Sequence, residues 1–397
     1  MRCLVTGGAG FIGSHTVDAL LERGHHVRIL DNLSKPVHLK GKPDYLKDDA
    51  EFMLGDVRNK ADWEKALDGV DTIFHFAAYQ DYLPDFSTFF HINAVGTALM
   101  YEVAVEKKLD IQKIVVASSQ AVYGEGKYRC ARCNRIKYPG IRPQEQLARQ
   151  DWEIKCDECN STLRPMWTNE NRVNPQNQYA ISKYTQEITS INLGKRYDIP
   201  TSCLRYSIVQ GPRQSIYNAY SGACRIFSLS MFFDQAPPVY EDGAQQRDFV
   251  NVHDVVAANL TVMESSKADY KVFNVGGGKA YTVAEFARIV SGVFGKQIEP
   301  DINGMYRFGD TRNIFSDISH LRELGWRPHF SPKESVEEYV SWLRSMDGIE
   351  NVLEEAQQKM RKLDVVRDSK QSHDTSGAKY ESVSAGSRHR LKIEATH

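Results

Sequence analysis

The chain lacks a long apolar run. No stretch approaches the ~18 consecutive apolar residues that cross a bilayer, so no membrane-spanning helix is expected. It also lacks an excess of either charge. Lys plus Arg is 50 against 51 Asp plus Glu, a formal net charge of -1, which removes the electrostatic reason to expect a nucleic-acid partner. Cysteines are few and odd in number, seven in 397 residues, which argues against a disulfide framework. Met1 to Gly10 lacks the cationic head and cleavage site of a secretory leader. It reads as a buried strand and a glycine turn, so a cytoplasmic protein is expected. What remains is ordinary: 41% hydrophobic and 25% charged, long enough for two fused lobes around a sizeable core.

Short apolar strands alternate with helical segments. Strands are expected at Arg2–Thr6, His26–Leu30, Phe52–Leu54, Thr72–Phe76, Ile114–Ala117 and Thr201–Arg205. Helices are expected at Phe11–Arg23, Trp63–Leu67, Phe89–Lys107 and Gln178–Tyr197. That alternation predicts an α/β fold with a doubly wound parallel sheet of Rossmann type. Residues 126–168 interrupt it with a polar, Cys-containing insertion without helical period. The pattern predicts a dinucleotide domain over 1–205 and a smaller, mainly substrate-binding lobe over 206–345. A charged helix is expected over 349–366 and an unstructured tail from Arg367 to His397.

The first turn reads Thr6-Gly7-Gly8-Ala9-Gly10-Phe11-Ile12-Gly13. Gly7 permits the tight turn, Gly10 lets backbone approach a pyrophosphate, and Gly13 lets the helix sit close on the strand. The helix N-terminus then offers free N–H groups to phosphates. Asp31 ends the next strand, 18 residues after Gly13. A carboxylate there accepts from both ribose hydroxyls and repels a 2′-phosphate, which favours NAD over NADP, although Lys35 lies close by. Asp56 reads either as an acid facing adenine or as a loop or N-cap residue.

Tyr179 and Lys183 lie four apart on a predicted helix, hence on one face. A phenol beside an ammonium is expected to titrate low enough to act as a general base. Ser118-Ser119 closes the fifth strand at the carboxyl edge, where open sheets bind ligands. One of these hydroxyls can share a substrate oxygen with Tyr179.

Taken in order, these motifs resemble the extended short-chain dehydrogenase/reductase family, in its nucleotide-sugar epimerase and dehydratase branch. The resemblance runs from about Arg2 to Leu343. It rests on the glycine turn, Asp31-Asn32, Gly55-Asp56-Val57, His75-Phe76-Ala77-Ala78, Asn93 with Gly96-Thr97, Ser118-Ser119 through Gly124, and Tyr179-x-x-x-Lys183. Arg205-Tyr206, Gly211-Pro212-Arg213, Arg247-Asp248, Asn274 and Arg307 continue it. The resemblance implies a tightly held NAD that is reduced and reoxidised within one turnover. It makes Tyr179 the base, Ser119 its partner on the sugar oxygen, and Lys183 the ribose ligand. It assigns Phe11, Ile12, Asn32, Val57, Ala77 and Ala78 to the cofactor, and Tyr79, Gln120, Arg213, Arg247 and Arg307 to a nucleotide-diphosphate sugar. A homodimer formed through the helices at 89–107 and 178–197 is implied as well. Dehydratases of this family carry Asp-Glu after the catalytic Ser or Thr. Gln120 and Ala121 stand there instead, which argues against elimination. The expected activity is therefore C4 epimerisation. A dehydrogenase, reductase or decarboxylase on the same scaffold, or an NAD-binding regulatory protein, are the alternatives. Tyr79 and its neighbours to Tyr82 either read sugar hydroxyls or face solvent.

Cys130-x-x-Cys133 and Cys156-x-x-Cys159 are separated by 22 residues. Two such knuckles predict a zinc ribbon with four thiolate ligands and no open position, hence a structural metal. It is expected as a knob near the active-site mouth, capping the sugar or serving subunit contact. The insertion resembles Cys-rich insertions in proteins similar to dTDP-L-rhamnose 4-epimerases, and that resemblance implies a deoxysugar nucleotide as one candidate substrate.

Overall fold

The structure, a computed structural model, describes residues 1–218 and 222–369. Its largest element is a seven-stranded parallel sheet. The strand Arg2–Thr6 lies inside it, flanked by His26–Asp31 and Glu51–Leu54 on one side. Thr72–His75, Lys113–Ser119, Thr201–Tyr206 and Lys271–Val275 follow on the other. The strand order reverses beside Arg2–Thr6, and a crevice opens over the carboxyl ends there. Inner strands are buried along nearly their whole length because helices cover both faces. One face packs Val17 and Leu20 of the helix Phe11–Glu22 with Val255 and Val262 of the helix Val252–Glu264. The other packs Trp63 with Met100, Val103 and Ile114, and with Ile191 of the long helix Gln178–Arg196.

The helix expected as one piece over 89–107 is broken into three. Phe86–Phe90 leads into a wide π turn, His91–Val95, and then Gly96–Glu106. Such turns displace a side chain from the regular helical register. Here Asn93 is buried, with its amide donating to Ser182 Oγ at 2.9 Å and its oxygen accepting from Tyr79 N at 2.8 Å.

A smaller sheet contains Ile208–Gln210, Gln246–Asn251, Ala280–Thr282 and Asn313–Ile314. Helices Ala223–Phe232, Val283–Phe294 and Pro332–Arg344 cover it, with Phe249 stacked on Phe286 at 4.2 Å. The chain crosses the boundary drawn at residue 206 more than once. The helix at 252–264 and the strand at 271–275 return to the large sheet, where their apolar faces are buried.

The insertion folds as a three-stranded antiparallel sheet of Lys127–Cys130, Ile136–Lys137 and Leu163–Met166, with a short helix Gln144–Ala148. It leans on the smaller lobe: Tyr128 donates to the Asn313 carbonyl, and Thr168 bridges to Ser316. The charged C-terminal helix spans Leu353–Lys362 and is packed rather than free, with Leu353 and Met360 buried. Arg367, expected to begin the tail, instead forms a short strand with Val366. The remainder of the expected tail, 370–397, lies outside the described residues.

Candidate active site and cysteine cluster

A cleft of about 620 Å³ lies over the carboxyl ends of the large sheet and extends to the smaller lobe. Gly7, Gly10, Phe11, Ile12, Gly13, Asp31, Asn32, Asp56, Val57, Ala77 and Ala78 line one part. The glycine turn is steric in origin. Gly7 has φ +67°, and a Cβ on Gly13 would stand 2.1 Å from the Gly7 oxygen. The helix at 11–22 has no side-chain cap at Gly10, so its first N–H groups are available to an anion. Asp31 accepts from Ala9 N at 3.0 Å and Leu33 N at 2.9 Å, which locks the acid to the turn. Asp56 is placed at the cleft but does not cap the next helix. It lines the cleft, yet it holds Arg58 and accepts from Asn32 at 3.0 Å; the Arg58 contact is the main reason its carboxyl falls to about 2. The N-cap of the following helix is Asn59 instead. These features fit a dinucleotide: a cradle that a side chain would fill, a helix N-terminus, and an acid at ribose distance along the chain.

Ser119, Tyr179 and Lys183 all line this cleft. The Tyr179 hydroxyl is hydrogen-bonded to Ser119, whose Oγ also accepts from Ala121 N at 3.2 Å. Ser118 is not the partner, because its hydroxyl donates to buried Glu187 at 2.8 Å. Asn177 caps the helix that carries Tyr179 and Lys183, accepting from Ala180 N at 2.8 Å.

The expected lowering of the Tyr179 pKa is not what the protein alone gives. Burial pushes the phenol up to about 12, with only Ser119 opposing. The reason lies with Lys183, which burial itself drives down to about 7 and whose ammonium is donated to Gln186 Oε1. Gln186 is a residue that sequence reasoning missed, although it sits three positions after Lys183 on the same helical face. Its Nε2 donates to Thr97 Oγ1 at 3.0 Å, and Thr97 donates to the Asn93 carbonyl at 2.7 Å. His75 Nε2 lies 2.9 Å from Thr97 Oγ1 and Nδ1 lies 2.8 Å from Thr6 Oγ1. Because the Thr97 hydrogen is already committed, the network assigns the proton to Nε2. Burial keeps this imidazole neutral, its pKa near 3. Thr6 Oγ1 then accepts from Phe76 N and Ala77 N. One buried chain of hydrogen bonds thus runs from Lys183 to the glycine-turn strand.

On the other side, Gln120, Tyr79, Arg247 and Arg307 line the cleft. Gln120 Oε1 is buried without a partner, as are Gln214 Oε1 and Gln245 Oε1, two lining residues that no motif signalled. Tyr79 is half committed: its hydroxyl donates to Asp85 at 2.7 Å. Arg247 grips the carbonyls of Gln246 and Arg312, both at 3.0 Å. Arg307 lies over the rings of Tyr240 at 4.6 Å and Tyr82 at 5.4 Å, and donates to the Tyr82 hydroxyl at 2.9 Å. Arg213 corrects the expectation. It does not line the cleft, because it pairs with Asp18 at 2.7 Å and lies over the Tyr45 ring at 4.7 Å.

The ligand atoms of Cys130, Cys133, Cys156 and Cys159 all lie within 4.8 Å of one another. A tetrahedral zinc with bonds of about 2.3 Å needs sulfurs roughly 3.8 Å apart, so the cluster fits. The knuckle form is present too, with Cys133 N donating to Cys130 Sγ at 3.3 Å. None of residues 125–168 lines the cleft.

Comparison with known proteins agrees with this geometry. The dTDP-L-rhamnose 4-epimerase of Burkholderia thailandensis is 32% identical over 349 residues, 86% of this chain and 94% of its own. The UDP-glucose 4-epimerase of Mycolicibacterium smegmatis is 30% identical, over 87% and 99%. Among solved structures, the Thermotoga maritima UDP-glucose 4-epimerase with UDP-glucose superposes with a TM-score of 0.71 at 30% identity, covering 87% of this chain and 99% of that one. The Thermus thermophilus UDP-glucose 4-epimerase in complex with NAD gives 0.67 at 28%, with the same coverage. Residues 3–146 and 161–276 match one family, breaking off only inside the cysteine insertion, and the chain belongs to that NAD dependent epimerase/dehydratase family.

Proposed function

We propose that the protein inverts C4 of a nucleotide-diphosphate sugar, using NAD, through a transient 4-keto sugar. The meeting of the Ser119 and Tyr179 hydroxyls beside Lys183 carries this reading. NAD, when bound, supplies a hydride acceptor that returns the hydride, and a positive ring. Tyr179 takes the C4 hydroxyl proton on its phenolic oxygen and later gives it back. Ser119 orients the same sugar oxygen. Lys183 holds the ribose on the nicotinamide side, and the positive ring of bound NAD would bring the phenol down from the value that burial imposes. Asp31 takes the adenosine ribose. Arg307 faces the diphosphate, while Gln120 and Tyr79 meet the sugar. Gln120 and Ala121 offer no acid for elimination of water.

The remaining features extend the proposal. Residues 1–205 with 252–275 form the NAD-binding part, and the rest of 206–345 mainly the substrate lobe. The four cysteines hold a structural zinc. Ile181 and Ile188, one face of the long helix, are 42% and 40% exposed, and Val95 nearby is 46% exposed. Three such apolar side chains on adjoining helices suit a twofold homodimer. Among the described residues no helix is long and apolar enough to cross a membrane. Seven free cysteines suit the reducing cytoplasm.

The test is product analysis by NMR and mass spectrometry with dTDP-rhamnose, UDP-glucose, UDP-glucuronate and GDP-mannose. A C4 stereoisomer of equal mass is expected, and dTDP-rhamnose is the first substrate to try. Loss of water or carbon dioxide, or stoichiometric NADH, contradicts the proposal.

A further inference from the structure

We infer that the cysteine insertion and the segment 353–369 act as two jaws of one clamp that positions Arg307. The inference rests on the reading of Arg307 as a ligand of the substrate diphosphate. Arg307 sits on a two-residue strand with Tyr306, outside both lobe sheets. A strand this short does not persist unsupported.

The first jaw is the C-terminal segment. Val366–Arg367 pairs antiparallel with Tyr306–Arg307. The helix before it places Met360 Sδ 3.7 Å from Arg307 Nη2, and Met360 is buried. Arg367 lies over the Phe308 ring at 5.2 Å. The second jaw is the insertion. Leu147 and Trp152 bury the ring of Tyr306, with Trp152 and Tyr306 centroids 6.2 Å apart. The jaws touch where Gln150 Nε2 donates to Ser369 Oγ at 2.8 Å.

The insertion is itself anchored by a buried ion cluster. Arg142 grips Glu241 with both nitrogens, at 2.9 and 2.7 Å. Arg312 reaches Glu241 at 3.0 Å, Asp242 at 2.6 Å and Glu153 at 2.6 Å. Glu241 has φ +55°, a left-handed conformation that is unfavourable for a non-glycine residue. Its carboxylate, shared by two guanidiniums, explains a side chain where glycine would be easier. The next residue but one before it, Val239, is followed by Tyr240, the ring on which Arg307 lies. The anchor therefore fixes both the insertion and one wall of the Arg307 site.

Arg307 needs this support. Among the described residues its guanidinium contacts two rings, the hydroxyls of Tyr82 and Tyr240 and a thioether, and the one carboxylate that acts on it, Asp310, does so from beyond ion-pair distance. Its Nε is buried without a partner. No carboxylate within ion-pair distance neutralises the charge, which is left for an incoming anion, and its placement comes from ring packing and tyrosine hydroxyls.

The test uses the full-length, NAD-loaded enzyme with UDP and dTDP as calorimetric probes, together with kcat and KM for the nucleotide sugar it turns over. Arg307→Ala is expected to weaken the better-bound probe roughly tenfold or more. Met360→Ala and Trp152→Ala are each expected to weaken it roughly fivefold and raise KM, with kcat and NAD affinity unchanged. Met360→Leu restores binding. In the Arg307→Ala background Met360→Ala and Trp152→Ala lose their effect. If Arg307→Ala weakens binding while both clamp variants bind as wild type, or keep their full effect without Arg307, the clamp is refuted and the reading of Arg307 stands. If Arg307→Ala binds as wild type, the reading of Arg307 falls, and the clamp with it.

Discussion

Replacing Lys183 with Met stabilises the NAD-free protein at low pH and loses that benefit at high pH. Lys183 is 1% exposed, and among the described residues its ammonium has Gln186 as its one direct hydrogen-bond partner. Burial lowers its pKa from the ordinary 10.5 to about 7, with Cys203 and Glu187 opposing. That displacement corresponds to about 5 kcal/mol of desolvation borne by the charged form. Between pH 7 and 10.5 the unfolded chain binds the proton that the folded chain has lost, so stability rises with pH across that window. Below it the full cost is present; above it the cost is gone. Met keeps the aliphatic volume but leaves the Gln186 oxygen unpaired, a loss of about 1–3 kcal/mol. The net expectation is a variant more stable than wild type by roughly 2–4 kcal/mol at pH 6 and less stable by up to about 2 kcal/mol at pH 10, where a little under about 1 kcal/mol of the cost remains. Urea unfolding of both proteins at the two pH values, followed by tryptophan fluorescence, reads the difference directly. A variant destabilised equally at both refutes the reasoning, because it means that Lys183 is paid for by a partner in the folded state.

Four further outcomes follow from the site. Tyr179→Phe removes the proton acceptor and keeps the ring, so turnover falls by about 10²–10⁴-fold while NAD affinity, read by fluorescence titration, is retained. Asp31→Asn keeps one acceptor for Ala9 N and Leu33 N but removes the charge; NAD binding weakens and discrimination against NADP drops, which competition titration measures. Gly13→Ala places a Cβ against the Gly7 carbonyl and abolishes NAD retention on gel filtration. Metal analysis of the purified protein finds one zinc per chain, and Cys156→Ser lowers that content and exposes the insertion to protease.

The parallel sheet and the dinucleotide turn were legible because local sequence determines them: apolar runs, glycines whose Cβ has no room, and an acid closing the next strand. That Ser119, Tyr179 and Lys183 line one cleft was legible from their places on strand and helix, but their electrostatics were not. Spacing says that Lys183 shares a helical face with Tyr179; it does not say that burial depresses the lysine and commits it to Gln186. Arg213 misled for a related reason. A cation beside a Gly-Pro turn has several acids within reach, and Asp18 on the first helix won. The π turn at 91–95 left no periodic signature, because Asn93 is held by contacts from distant segments. The cysteine knuckles announced a folded insertion, while its direction of lean depended on Arg142 meeting Glu241, 99 residues apart.

The most direct test of epimerisation by hydride return follows a deuterium label. A nucleotide sugar that the enzyme turns over, carrying deuterium at C4, is incubated in ordinary water and the product is read by NMR and mass spectrometry. The account predicts an inverted C4 that keeps its deuterium, at unchanged mass and without net NADH. Loss of the label to solvent, or product in which C4 keeps its configuration, contradicts it.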